Sequence, residues 1–208
     1  MIDFRWAAAS DPGQIREINQ DSAFAGDGVF VVADGMGGHK AGEVASRWAI
    51  LLLHERLVEA PEGSESAPSG KGPATGPAQV VEAANEVIHE QATIDRDLSG
   101  MGTTVCALIV DPDRTSGTIV NVGDSRAYVF RNGNLEQITE DHSLVETLVR
   151  EGRLSPDDAA HHPQRNIVTR ALGVEPNVEV DEFGVDLCLL YTSPSPRDAT
   201  LSRMPSSA

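Results

Sequence analysis

A chain of 208 residues, 40% hydrophobic and 23% charged, can bury one domain-sized core, which excludes wholesale disorder. Its net charge of −16 speaks against nucleic acid as a partner, because phosphate backbones need Lys and Arg to displace counterions. Cys106 and Cys188 form no disulfide framework and show no zinc-type spacing, and Asp3 and Arg5 break any N-terminal signal segment, so a reducing cytoplasm and a chain without a membrane segment are expected.

Taken in chain order, Phe4 to Ala9 reads as a strand, and so does Gly28 to Ala33, whose continuous run of Val29, Phe30, Val31, Val32 and Ala33 suggests burial on both faces. That run ends in Asp34, Gly35, Met36, Gly37 and Gly38, where the chain has to turn. A helix is expected from about Ala41 to Val58, with Val44, Trp48, Leu51 and Leu52 near helical spacing, then a Pro-, Gly- and Ser-rich surface loop from Glu59 to Pro77. A second helix follows from about Ala78 to Asp95. Thr103–Val110, Ser116–Val122, Ala127–Arg131 and Leu135–Thr139 read as short strands, with Asn132-Gly133 as a hairpin signal. Ser143 to Glu151 resumes helical spacing, Ser155-Pro156 resembles a helix start, and Asn177 to Gly184 alternates again. Strands, two helices and then a run of antiparallel strands predict an α+β sandwich with helices packed outside the sheets.

Two clusters carry the chemistry. The first contains Arg16, Asn19, Gln20 and Asp21, and the second runs from Asp34 through Gly35 to His39, Gly42 and Glu43. Between Asp21 and Asp34 there is room for one hairpin, so the two carboxylates can meet at the same end of neighbouring strands. Hard divalent cations take oxygen ligands in octahedral array with several positions left to water, and an Asp at the end of a buried strand is rigidly aimed for that purpose. Taken singly, Asp34 reads as a turn residue, Arg16 as a surface cation, His39 as a loop histidine, and Asp124 as part of a hairpin turn.

Further groups appear in order: Gly100-Met101-Gly102-Thr103-Thr104, Val122-Gly123-Asp124-Ser125-Arg126, Asp141-His142-Ser143, and Asn166 to Gly173. Together with the first two clusters this series resembles the bacterial branch of the PP2C, or PPM, protein phosphatases, over roughly residues 3 to 186. The resemblance implies two packed antiparallel β-sheets flanked by α-helices, and hydrolysis of phosphoserine and phosphothreonine in proteins by a metal-activated water. It implies two Mn²⁺ or Mg²⁺ ions with a third position: Asp21 binding one ion, Asp34 bridging two, Gly35 giving its backbone carbonyl, and Asp124 at the third. Arg16 would hold the phosphate, and His39 could protonate the leaving oxygen. Residues 145–165 would form a flap beside the site, with His161 and His162 in it. The implied partners are phosphoserine and phosphothreonine proteins, including Ser/Thr kinases and their substrates, met by a monomer.

The family's later Ser-Asp-Gly-Leu and Asp-Asn ligand motifs do not occur in this sequence. Residues 1–187 are therefore expected to form a partial phosphatase domain lacking C-terminal strands and ligands. Residues 188–208, rich in Ser, Thr and Pro, are expected to be a disordered, non-native tail. On that ground this chain is expected to be weakly active or inactive, the alternative being a catalytically dead module that binds phosphoproteins.

Overall fold

The structure, a computed structural model, describes residues 5–14, 18–37, 41–59 and 76–187. It is built from β1 (Asp21–Gly26), β2 (Val29–Met36), α1 (Ala41–His54), α2 (Pro77–Ile94), β3 (Gly102–Thr103), β4 (Val105–Val110) and β5 (Ser116–Val122), followed by β6 (Tyr128–Arg131), β7 (Asn134–Gln137), α3 (Leu144–Arg150), α4 (Pro156–His161) and β8 (Asp181–Asp186). Asp27-Gly28 joins β1 to β2 and Asn132-Gly133 joins β6 to β7. Both dipeptides have positive φ at both residues, 52° and 78° in the first and 53° and 82° in the second. That is the two-residue turn whose twist matches its flanking strands. The helices start where their sequences allow. Pro77 sits in the first turn of α2, Ser143 accepts the Glu146 N–H to cap α3, and Ser155 accepts the Asp158 N–H to cap α4.

The main sheet runs β1-β2-β4-β5-β8, antiparallel throughout, with the short β3 beside the end of β2. Strand alternation divides its side chains between two cores. Val29, Val31 and Ala33 of β2, Val105 and Ala107 of β4, and Val120 and Val122 of β5 face α1 and α2, which bury Ala45, Ala49 and Leu53, and Val81, Ala84 and Ile88, against them. On the opposite face Cys106, Ile119 and Val185 pack with Val129, Ile138 and Phe183, so the β6–β7 hairpin forms the second sheet of the sandwich. This is the α+β architecture expected, with a second sheet that is two-stranded among the described residues. The apolar run of β2 is not buried on both faces as its composition suggested: burial alternates along the strand, and Val32, on the hairpin side, remains 46% exposed because the two-stranded second sheet does not cover it. Cys106 is a buried free thiol whose pKa burial pushes up to about 11, a small hydrophobe rather than a reactive group.

Of the strand expected at Phe4–Ala9, Phe4 lies outside the described residues and the rest forms no strand. Residues 5–10 are exposed and belong to no strand, and Trp6 is 58% exposed. Alternation makes a strand only where a neighbouring edge accepts its hydrogen bonds, and no described strand pairs with this segment. Of the loop expected between the two helices, 60–75 lie outside the described residues, as do 188–208. No helix among the described residues is long and apolar enough to cross a membrane.

Leu53, with no exposed surface, should tolerate truncation poorly. Leu53→Ala is expected to lower unfolding free energy by about 2–5 kcal/mol in chemical denaturation, whereas Val32→Ala should stay within about 1 kcal/mol.

Candidate metal centre

Pairing between β1 and β2 sets Asp21 directly opposite Asp34, at the end of the hairpin away from its turn. Both residues are exposed, on strand ends whose neighbours Ser22 and Ala33 are more buried. Opposed side chains in such a pair have Cβ atoms roughly 4.5–5.5 Å apart, and like charges placed this way repel. A divalent cation between them turns that repulsion into attraction, so the donor set fits a hard, oxygen-seeking ion.

The backbone around Asp34 is held from several sides. Its N–H donates to Thr104 Oγ1 at 3.0 Å, while its carbonyl accepts from Thr104 N–H at 2.9 Å and from the Thr103 hydroxyl at 3.1 Å. Gly35 N–H donates to the carbonyl of Gln20 at 3.1 Å. The need for glycine at position 35 is steric: a Cβ there would stand 2.0 Å from the Gly42 carbonyl oxygen and 2.7 Å from that of Gln20. Gly42 lies in the first turn of α1, and a Cβ on it would meet Gly35 in turn at 2.8 Å. The helix therefore rests directly on the strand end. One turn further, the Ser46 hydroxyl donates to Gln20 O at 2.6 Å and lies 3.0 Å from Ser22 Oγ. The run Gly42 to Ser46 thus docks α1 against both carboxylate-bearing strands.

Asp124 lies in the loop after β5. Its flanking residues are each secured: Gly123 by His142, Ser125 by a 2.6 Å hydroxyl contact with Thr104, and Arg126 by Asp141. The Arg126–Asp141 pair is forked, with Nε at 2.8 and 3.0 Å from the two carboxylate oxygens and the terminal nitrogen at 2.5 Å. Its hydrogen bonds to Asp141 raise the guanidinium pKa further. Thr104 therefore touches both halves of the centre, bonding Asp34 on one side and the neighbour of Asp124 on the other. Burial pushes the Asp124 carboxyl up and the nearby Asp141 adds to this, against its own backbone hydrogen bond and the Arg126 charge. A cation beside Asp124 would favour its charged form and offset that upward push.

Beside Asp124 opens a cavity of about 380 Å³, with Arg126 and Asp141 on its sheet side and Val145, Pro156 and Arg165 on the other. The segment expected as a flap, 145–165, thus does lie over the Asp124 loop. His161 and His162 are not among the lining residues; His161 bonds within its own helix to Asp157 O, and His162 Nδ1 accepts from Gln164 N–H. Arg16 and His39 lie outside the described residues. Among the described residues no three or more His, Cys, Asp or Glu side chains gather as one metal cluster, so the candidate donors there are the Asp21–Asp34 pair and a separate Asp124.

Sequence reasoning assigned no role to Thr104 or His142, although both lie in its ordered motifs. Nor did it read Asp27-Gly28 as a hairpin turn, the dipeptide signal that fixes the Asp21–Asp34 register.

The Protein phosphatase 2C family model matches residues 15–174. The serine/threonine protein phosphatase PstP of Mycobacterium tuberculosis is 42% identical over 181 residues, covering 86% of this chain. The chain spans 33% of that relative's length. The serine/threonine phosphatase stp of Listeria welshimeri is 43% identical over 185 residues, covering 85% of this chain and 69% of its own. Among solved structures, the catalytic domain of PstP in complex with two manganese ions superposes with a TM-score of 0.69 at 38% identity, covering 87% of this chain and 72% of that one.

Gly35→Ala should destabilise the fold by about 1–3 kcal/mol or more in denaturant titration, because the added methyl meets backbone that cannot turn aside. A carboxyl whose pKa rises on folding costs stability above its folded value and nothing below its unfolded value. In metal-free protein Asp124→Asn should therefore raise Tm at neutral pH, and the gain should fade as pH falls to the ordinary carboxylate range.

Proposed function

The chain belongs to the Protein phosphatase 2C family, and from that premise we propose that it removes phosphate from phosphoserine and phosphothreonine in proteins, using divalent ions held at Asp21 and Asp34. The observation that carries this reading is the direct opposition of those two carboxylates at one hairpin end. Ions bound there would supply an acidified water for in-line attack on phosphorus.

The chain's own groups have distinct tasks in this reading. Asp34 and Asp21, with the Gly35 carbonyl, would hold the ions. Thr103 and Thr104 hold the Asp34 backbone in place, fixing the point from which its carboxylate projects. Asp124, which lines the cavity beneath α3 and α4, would hold a third, more weakly bound ion. Arg16 offers a planar fork for two phosphoryl oxygens. His39 is the candidate donor of a proton to the departing serine or threonine oxygen. The manganese pair of the PstP catalytic domain supports ions of this class, and the same oxygen donors accept Mg²⁺. Phosphorylated Ser/Thr kinases and their targets are the proposed substrates, met in the cytoplasm by a monomer.

With two carboxylates and a carbonyl as its main ion donors, the chain should hold its ions loosely and turn over slowly. Slow release of phosphate from a phosphothreonine peptide is expected, rising with Mn²⁺, stopped by chelator, and reduced to background by Asp34→Asn. Tight phosphopeptide binding that ignores both chelator and Asp34→Asn would instead mark a non-catalytic binding module.

A further inference from the structure

His142 is 9% exposed and stands behind the loop that carries Asp124. It grips that loop twice. Its ring Nδ1 lies 3.0 Å from Gly123 N and accepts that N–H, while its own backbone N–H donates to Gly123 O at 2.9 Å. A ring nitrogen that accepts an amide hydrogen carries no proton itself, so Nδ1 is bare and the ring's hydrogen sits on Nε2. Nε2 faces Asp181 Oδ2 at 3.1 Å and donates to it.

Arg170 completes the arrangement. One terminal nitrogen lies 2.7 Å from Asp181 Oδ1 and the other 2.9 Å from Glu179. The first also stands 3.0 Å from His142 Nε2, but two donors cannot satisfy each other, so its hydrogen goes to the Asp181 carboxylate. Asp181, at the start of β8, thus orients the imidazole, and the imidazole orients Gly123. Gly123 needs this support. Its φ of 110° is open to glycine, and a Cβ there would stand 2.6 Å from Thr104 Cγ2, so the turn is narrow and closely fitted. On the far side of Asp124, Ser125 is tied to Thr104.

We propose that His142 is a positioning residue for the metal centre: through its bare Nδ1 it holds Gly123, and thereby aims the Asp124 carboxylate at a divalent cation, with Asp181 fixing the tautomer. This rests on the reading of Asp124 as a metal position. Groups that orient a ligand from behind commonly contribute about 10- to 100-fold to metal affinity. A histidine serving only as core filler would have no preference for which ring nitrogen is kept.

Two substitutions separate these cases. His142→Asn keeps an acceptor close to the place of Nδ1 and loses the link to Asp181, whereas His142→Gln keeps the distal end and loses the acceptor for Gly123. The experiment is a Mn²⁺ titration of the full 208-residue chain, read from the EPR signal of free Mn²⁺, on wild type, both variants and Asp124→Asn, with folding checked by thermal melting. Asp124→Asn is expected to remove the weaker binding step. His142→Gln should weaken the same step by about 10- to 100-fold, and His142→Asn should stay near wild type. If Asp124→Asn removes a step that His142→Gln leaves intact, or if the two His142 variants weaken it equally, the positioning role is overturned while the metal reading stands. If Asp124→Asn changes nothing, the metal reading of Asp124 falls and the proposal with it. Should His142→Gln fail to fold, the imidazole ¹⁵N spectrum of the wild type together with the His142→Asn titration decides. A protonated Nδ1, or a lost step in His142→Asn, overturns the role; a bare Nδ1 with wild-type binding supports it.

Discussion

Two carboxylates can be kept face to face across a pair of strands only if the connection between those strands allows no slippage. Asp27 and Gly28 meet that condition, since a two-residue turn with both φ values positive admits one register. Asp21 then lies opposite Asp34, and the apolar side chains of β2 fall on the helical face. A slip of one residue would turn Asp34 into the core and Val31 out to solvent. The burial of Val29, Val31 and Ala33 beneath α1 therefore guards the same register that the turn sets. Hydrophobic packing here has a chemical consequence, because the register it maintains sets Asp21 opposite Asp34.

The remainder of the centre follows from what is built around that pair. Gly35 and Gly42 approach so closely that neither can carry a side chain, and this brings the first turn of α1 onto the end of β2. Ser46 then ties the helix to the Gln20 carbonyl, beside Asp21. Thr104 joins the Asp34 backbone to Ser125, the residue after Asp124. Behind that loop Asp181 is burdened by partial burial, yet hydrogen bonds and charge from His142 and Arg170 hold its carboxyl below the usual range. Asp124 has the opposite balance, with burial outweighing its local support. The two carboxyls are thus shifted in opposite directions by their surroundings.

Much of the fold was legible because it depends on short-range pattern. The helical spacing around Trp48 and Leu52, the apolar run of β2 and the Asn132-Gly133 turn all express themselves within a few residues. Phe4–Ala9 misled for the same reason: its alternation is a local property, whereas a strand exists only beside a partner. A hairpin between Asp21 and Asp34 was legible, but its turn residues, Asp27-Gly28, were within reach of the same reasoning that found Asn132-Gly133, and without them the register was left unset.

Taken alone, the sequence determined the donor types, their order along the chain and the family they resemble, because residue identity and spacing carry that information directly. It could name Asp21, Asp34 and Asp124 as oxygen donors. Only the tertiary structure decided which groups aim them. The bonds from Thr104 to Asp34, from His142 to Gly123 and from Asp181 to His142 span 70, 19 and 39 positions. Contacts of that range are products of how the sheet pairs and the helices pack. The same holds for the burial that lifts the Asp124 carboxyl and for the tautomer of His142, since both depend on what surrounds a group rather than on what precedes it in the chain.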